Sequence, residues 1–303
     1  MGTMFVTGGV EFFLPVGNHL MQTASNAVAG ESNLIGTILQ GFILGIVQGI
    51  TEFLPISSTA HLIIFRDVLG WKVTWSKAAI DSIQLGSVFA VVIYFWKDIR
   101  NILGGAWFAF QHKEWERSEW KMFVGIAIGT FPALLGGLVL KILDVELESS
   151  LMIAGMSIVM ATLLGLAEKF GSRKRGFKEV EIKDGIIVGF GQMIALLPGS
   201  SRSGSTLTTA LFIGLQRETA ARFSFLLGLP TLAIATAVQT KDVLQESHMF
   251  LPLLVGIVST FVFSYLSIAW LLKFLQRRSN WVFVWYRLGF GAAILGAIGA
   301  GIL

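Results

Sequence analysis

Six stretches of this chain, about 77–97, 120–141, 150–170, 219–239, 250–273 and 282–302, are apolar over lengths near twenty residues. That length matches a helix crossing a hydrocarbon layer of about 30 Å, whereas the strands of a membrane barrel alternate over about 10 residues. Inside lipid every backbone N–H and C=O must be paired within the protein. Such a chain is therefore confined to crossing helices, with irregular backbone only where protein buries it or water reaches it. The composition agrees, with 54% hydrophobic and 14% charged residues, against about 25% charged in soluble domains. There are no cysteines, which excludes a disulfide framework, thiolate chemistry and a Cys-ligated zinc. A net charge of +4 reads as loop charge on the cytoplasmic side and not as a nucleic-acid surface, so no nucleic-acid partner is expected.

Residues 1–33 carry no Lys or Arg and so lack the basic start of a signal peptide. Their second half is rich in Thr, Ser, Asn and Gly and reads as a flexible lead-in of unknown role. Residues 34–303 read as a single membrane domain.

Basic residues set the orientation. Loops 97–121, 168–183 and 273–278 together hold 14 Lys and Arg, and the alternate loops hold 4: Lys72, Lys77, Lys141 and Lys241. The three basic loops are expected on the cytoplasmic side.

Two shorter segments, roughly 34–70 and 184–217, are interrupted by Pro and a polar island. The first island runs Gln48 to His61 and the second Gln192 to Ser205; both read apolar pair, Pro, any residue, Ser-Ser. Pro55 and Pro198 lie 143 positions apart, and Gly86 and Gly228, in the spans that follow, lie 142 apart. Each half therefore reads as one re-entrant segment plus three spans, with repeat 1 at about 34–170 and repeat 2 at about 184–303. An odd number of spans turns the second copy upside down, so the two islands enter from opposite faces and meet near the midplane. The expected fold is an all-α integral membrane protein of six transmembrane helices and two re-entrant broken-helix segments in an inverted-topology repeat.

The islands concentrate the chemistry. Gln48 and Glu52 are four apart and share a helix face. Their oxygens suit a hard cation, Mg²⁺ or Ca²⁺, whose shell a bound diphosphate completes. Ser57, Ser58, Thr59 and His61 follow Pro55, where a new helix directs free N–H groups and hydroxyl caps into the break. Pro198, Gly199, Ser200 and Ser201 repeat that arrangement, and Arg202, Ser203 and Gly204 extend it. Arg202 offers a planar fork for phosphate oxygens, and Gly199 and Gly204 allow close backbone approach to an anion. Two such helix starts fit a ligand with two phosphates. More ordinary roles suit other residues. Ser and Thr in membrane helices usually bond to a neighbouring turn or helix. Gly41, Gly45 and Gly49 read as a close helix contact. His19, His112 and His248 read as incidental, and Arg66, Asp67, Arg217, Glu218 and Arg222 as interfacial anchors.

The pair Gln48/Glu52, the run from Glu52 to His61 and the run from Leu197 to Thr206 resemble the undecaprenyl-diphosphate phosphatases of the bacitracin-resistance type. The resemblance covers about 34–303 and includes the Gln84-Leu85-Gly86 and Arg222–Leu227 spans. It implies a bacterial plasma-membrane hydrolase that removes the terminal phosphate of a polyprenyl diphosphate and returns the carrier lipid to peptidoglycan synthesis. It also implies a divalent cation, membrane lipids as surroundings, and a fold that is often a homodimer. Carried onto this chain, Glu52, Ser58, His61 and Arg202 are the catalytic candidates. Ser57, Thr59, Gly199, Ser201, Ser203 and Gly204 are the substrate-binding ones, and Glu52 with Gln48 the metal ligands. Gln48 stands where many members carry Glu, which removes one metal carboxylate. The nucleophile stays open among Ser58, His61 and a metal-activated water. The alternative to hydrolysis is a transporter or flippase for the lipid phosphate, because broken helices in inverted repeats also mark transporters. A phosphatase of the Ser-Arg-then-His class is excluded, because the first His after Arg202 is His248.

Overall fold

A computed structural model describes residues 34–71, 73–145, 149–243 and 249–302. The reading of residues 1–33 lies outside the described residues. The order is α1 (Leu34–Thr51), α2 (Ser58–Val68), α3 (Lys77–Ser82), α4 (Leu85–Tyr94), α5 (Trp96–His112) and α6 (Ser118–Ile142). Then follow α7 (Ser150–Phe170), α8 (Ile182–Met193), α9 (Arg202–Phe212), α10 (Arg217–Val243), α11 (Phe250–Arg277) and α12 (Trp281–Gly299). Among the described residues all regular structure is helical apart from one isolated bridge between Arg175 and Leu215.

Among the described residues seven helical stretches are long and apolar enough to cross a membrane. Six correspond to the apolar runs read from the sequence, with α3 and α4 together forming Lys77–Tyr94. The seventh is α1, whose 18 residues reach mean hydropathy 1.7 because the island's charge begins only at Glu52. The sequence reading places α1 inside a shorter broken segment, and the structure makes it a helix of spanning length. By contrast α2 and α9 have 11 residues each and α8 has 12. At about 1.5 Å per residue, each covers only about half the hydrocarbon layer.

The breaks have a shared local cause. After Pro55 and Pro198 the chain turns through Ser57 and Ser201, whose φ angles are 74° and 71°. Such angles are costly for residues with a Cβ and persist only where the surroundings enforce them. Each turn opens a short helix, and each short helix is followed by a left-handed glycine, Gly70 at φ 70° and Gly214 at φ 89°. Ser57 and Ser201 thus share a backbone geometry, and each stands directly before the first residue of a short helix, Ser58 and Arg202. The letter-by-letter match of Ser57-Ser58 to Ser200-Ser201 is off by one, and Gly199, itself at φ 86°, lies at the extra position.

Glycine stripes set the close packing. A Cβ at Gly41 or Gly45 would stand 2.5 Å from the carbonyl oxygen of Pro252 or Gly256, so α1 lies backbone to backbone on α11. Likewise a Cβ at Gly185 or Gly189 would stand 2.2 or 2.3 Å from the carbonyl oxygen of Gly125 or Gly129, which brings α8 onto α6. Several anchors are bonded more tightly than interfacial snorkelling requires. Arg217 and Arg173 both donate to buried Glu168, which also accepts from Asn280 Nδ2 at 2.9 Å. Arg222 pairs with Asp98 and lies over the Phe177 ring at 4.1 Å. Arg66 is buried and donates from Nε to Asp67 at 2.8 Å.

Candidate active site

The two breaks meet. Glu52, at the end of α1, lies buried, and both its oxygens are engaged. Oε2 accepts from Ser58 Oγ at 2.6 Å and from Gln48 Nε2 at 2.9 Å. Oε1 accepts from Arg202 Nη2, which comes from the other break 150 positions along the chain. Arg202 is itself held by Nη1 donating to the Gly228 carbonyl oxygen at 2.8 Å, where a Cβ at Gly228 would collide with the guanidinium. A hydroxyl, a carboxylate and a guanidinium are thereby joined in one chain of charge-assisted bonds.

His61 is bonded away from the Ser58–Glu52 pair. Its Nδ1 is 2.7 Å from the Ser57 carbonyl oxygen and its Nε2 is 2.6 Å from the Tyr286 hydroxyl. A carbonyl only accepts, so in the neutral ring Nδ1 carries the hydrogen and Nε2 accepts from Tyr286. The ring stacks on Phe290 with centroids 4.3 Å apart. Among the described residues neither ring nitrogen is bonded to Ser58.

The remaining candidates divide into two groups. Ser201 and Ser203 bond to each other through their hydroxyls at 3.2 Å and to the backbone. Ser201 Oγ accepts from Gly204 N at 3.1 Å, and Ser203 Oγ lies 3.0 Å from the carbonyl oxygens of both Glu52 and Leu54. Ser203 thus sutures the second break to the first. Gly199 and Gly204 border the guanidinium of Arg287, Gly199 through its carbonyl oxygen and Gly204 through the space a Cβ would need. Ser57 contributes the carbonyl that orients His61, and Thr59 lines a small cavity with Arg66, Lys77 and Asp81. Gln48 is fully buried, and its Oε1 has no hydrogen-bond partner among the described residues. No group of three or more His, Asp or Glu able to hold a metal occurs among the described residues.

Tyr286, Arg287 and Phe290 on α12 complete the surroundings, and the sequence reading did not single them out. The available signal was Arg287 itself. An ionisable residue inside an apolar span is a functional candidate by default.

Fold and site together define a multi-pass, all-helical membrane protein whose buried centre couples a hydroxyl to a carboxylate and an arginine. The chain belongs to the family described as Bacitracin resistance protein BacA, which it matches over residues 41–293. It is 62% identical over 265 residues to the undecaprenyl-diphosphatase of Thermosynechococcus vestitus, covering 88% of this chain and 97% of that protein. The undecaprenyl-diphosphatase of Trichormus variabilis is 49% identical over 292 residues, covering 94% of this chain and 91% of its own length. That of Synechocystis sp. is 51% identical over 272 residues, covering 87% and 83%.

Proposed function

We propose that this chain hydrolyses undecaprenyl diphosphate to undecaprenyl phosphate and inorganic phosphate at the junction of its two breaks. The activity recycles the carrier lipid for peptidoglycan synthesis in the bacterial plasma membrane and confers bacitracin resistance. Family membership and the names of the relatives support the substrate. The observation that carries the chemistry is the 2.6 Å bond from Ser58 Oγ to Glu52, whose other oxygen holds Arg202.

Ser58 is the nucleophile in this reading. Its oxygen bonds to the terminal phosphorus as the bridging P–O bond breaks, and Glu52 takes its hydrogen. Glu52 passes that proton to the departing lipid phosphate. In the second half Glu52 takes a proton from water as the water oxygen attacks the phosphoserine, and returns it to Ser58. Arg202 turns from Glu52 to the phosphate oxygens as their charge grows, which is the main contribution a protein makes to phosphoryl transfer. His61 holds the Ser57–Ser58 turn and is not the base.

A divalent cation, Mg²⁺ or Ca²⁺, belongs to the proposal. The partnerless Gln48 Oε1 and the Glu52 carboxylate are hard oxygens that fit it, with diphosphate oxygens completing the shell. When bound, it neutralises charge on the phosphoryl group.

The inverted repeat is part of the same reading. The paired turns at Ser57 and Ser201 support it, and so do the exchanged stripes, with α1 on repeat 2's α11 and α8 on repeat 1's α6. The test is phosphate release from undecaprenyl diphosphate in detergent, with and without Mg²⁺, for wild type and for Glu52→Ala and Arg202→Ala. Metal-dependent release that both substitutions abolish supports a site built from both breaks. Folded wild-type protein that binds the diphosphate but releases no phosphate would move the reading to a lipid-phosphate transporter.

A further inference from the structure

Arg287 is one of the largest fully buried side chains, 1% exposed, in the apolar span α12. Among the described residues no carboxylate pairs with it. Its guanidinium is satisfied by backbone carbonyl oxygens instead. Nη1 donates to Pro55 at 3.0 Å, and Nη2 to Gly199 at 2.8 Å and Met156 at 3.4 Å. Nε donates to Ser157 at 3.3 Å, and Ser157 Oγ returns a bond to the Arg287 carbonyl oxygen at 3.1 Å. Burying a charge without an ionic partner is costly, and the fold retains it here. The two best-placed acceptors explain why. Pro55 precedes the turn that presents Ser58, and Gly199 precedes the turn that presents Arg202. A planar fork holds the two carbonyls on two separate nitrogens at a fixed spacing, whereas an ammonium presents its three donors from a single atom on a flexible stem.

The geometry points to Arg287 as a positioning residue that locks the two breaks to each other, and so fixes Ser58–Glu52 against Arg202. This inference rests on the proposed phosphatase reading. It assigns Arg287 no contact with substrate; it acts through the carbonyls of Pro55 and Gly199. It also accounts for Gly204, where a Cβ would stand 2.9 Å from Arg287 Nη1 and displace the fork.

The experiment compares kcat, KM and thermal unfolding in detergent for wild type, Arg287→Lys and Gly204→Ala, with undecaprenyl diphosphate as substrate. Lys keeps the charge and loses the fork, whereas Ala at 204 keeps Arg287 and pushes it. Misplacing reacting groups by about 1 Å can cost about 100-fold. Both variants are expected to lose kcat by about 10- to 100-fold per folded molecule, with KM changed by less than about threefold. A raised KM with unchanged kcat would overturn the inference, because Arg287 would then act on the substrate. Full kcat per folded molecule with only a lowered unfolding temperature would also overturn it, because the role would then be structural. If Arg287→Lys does not fold, Gly204→Ala decides alone by the same criteria. Wild-type protein that releases no phosphate would overturn the functional reading and this inference with it; active wild type matched by both variants would overturn this inference alone.

Discussion

In the proposed mechanism Glu52, and not His61, takes the hydrogen from Ser58, and two nearly isosteric substitutions separate the alternatives. Glu52→Gln keeps the shape of the side chain but removes its basicity and the counter-charge of Arg202. General-base catalysis contributes about 10²- to 10⁴-fold, so kcat is expected to fall by that factor, about 3–5 kcal/mol of barrier. His61→Asn puts an amide N–H near the place of Nδ1 and so keeps a donor for the Ser57 carbonyl. It loses the bond from Tyr286, worth about 1 kcal/mol, and the stack on Phe290, worth about 1 kcal/mol. Even if all of that appeared in the barrier, kcat would fall by no more than about 30-fold. The assay is phosphate release at saturating substrate and Mg²⁺, normalised to folded protein. A thousandfold loss in His61→Asn beside near-normal Glu52→Gln would refute the reasoning and make the imidazole the base.

Other outcomes follow from the same geometry. Tyr286→Phe removes only the hydroxyl bonded to His61 Nε2, and kcat is expected to fall by about three- to tenfold with unfolding temperature little changed. Gly185→Ala places a methyl 2.2 Å from a backbone oxygen of α6, and size-exclusion chromatography is expected to show loss of folded protein. Gly155→Ala, with nothing within 4 Å of the added Cβ, is the silent control. Removing divalent cations with a chelator is expected to abolish phosphate release, and Gln48→Ala to raise the Mg²⁺ concentration that restores it; an unchanged requirement would remove Gln48 from the proposed ligands.

The membrane class and the six long spans were legible because about 20 apolar residues in a row permit few other structures. The islands were legible because Glu, His and Arg are costly in lipid. The length of α1 was not, because a polar island near its end made the whole segment read as short. The off-by-one match of the serines arose because letters align without regard to backbone. The shared positive φ of Ser57 and Ser201 is a backbone property that the letters do not carry. The assignment of Ser201 and Ser203 to the substrate illustrates another limit. Motif membership puts them at the site, but it does not show that their hydroxyls also bond to each other, to Gly204 N and to the first break. Arg287 and Tyr286 lie outside both motifs, and their hydrogen-bond partners are 88 to 232 positions away, from Gly199 to Pro55. Contacts of that range follow from the packing of α12 and leave no local pattern.

The most direct measurement is the rate of phosphate release from undecaprenyl diphosphate by purified wild type and by Ser58→Ala, both shown to be folded. The account predicts Mg²⁺-dependent release by wild type and a loss of at least about a thousandfold in Ser58→Ala. Release by Ser58→Ala at a rate close to wild type would contradict it, and would make water or His61 the attacking group.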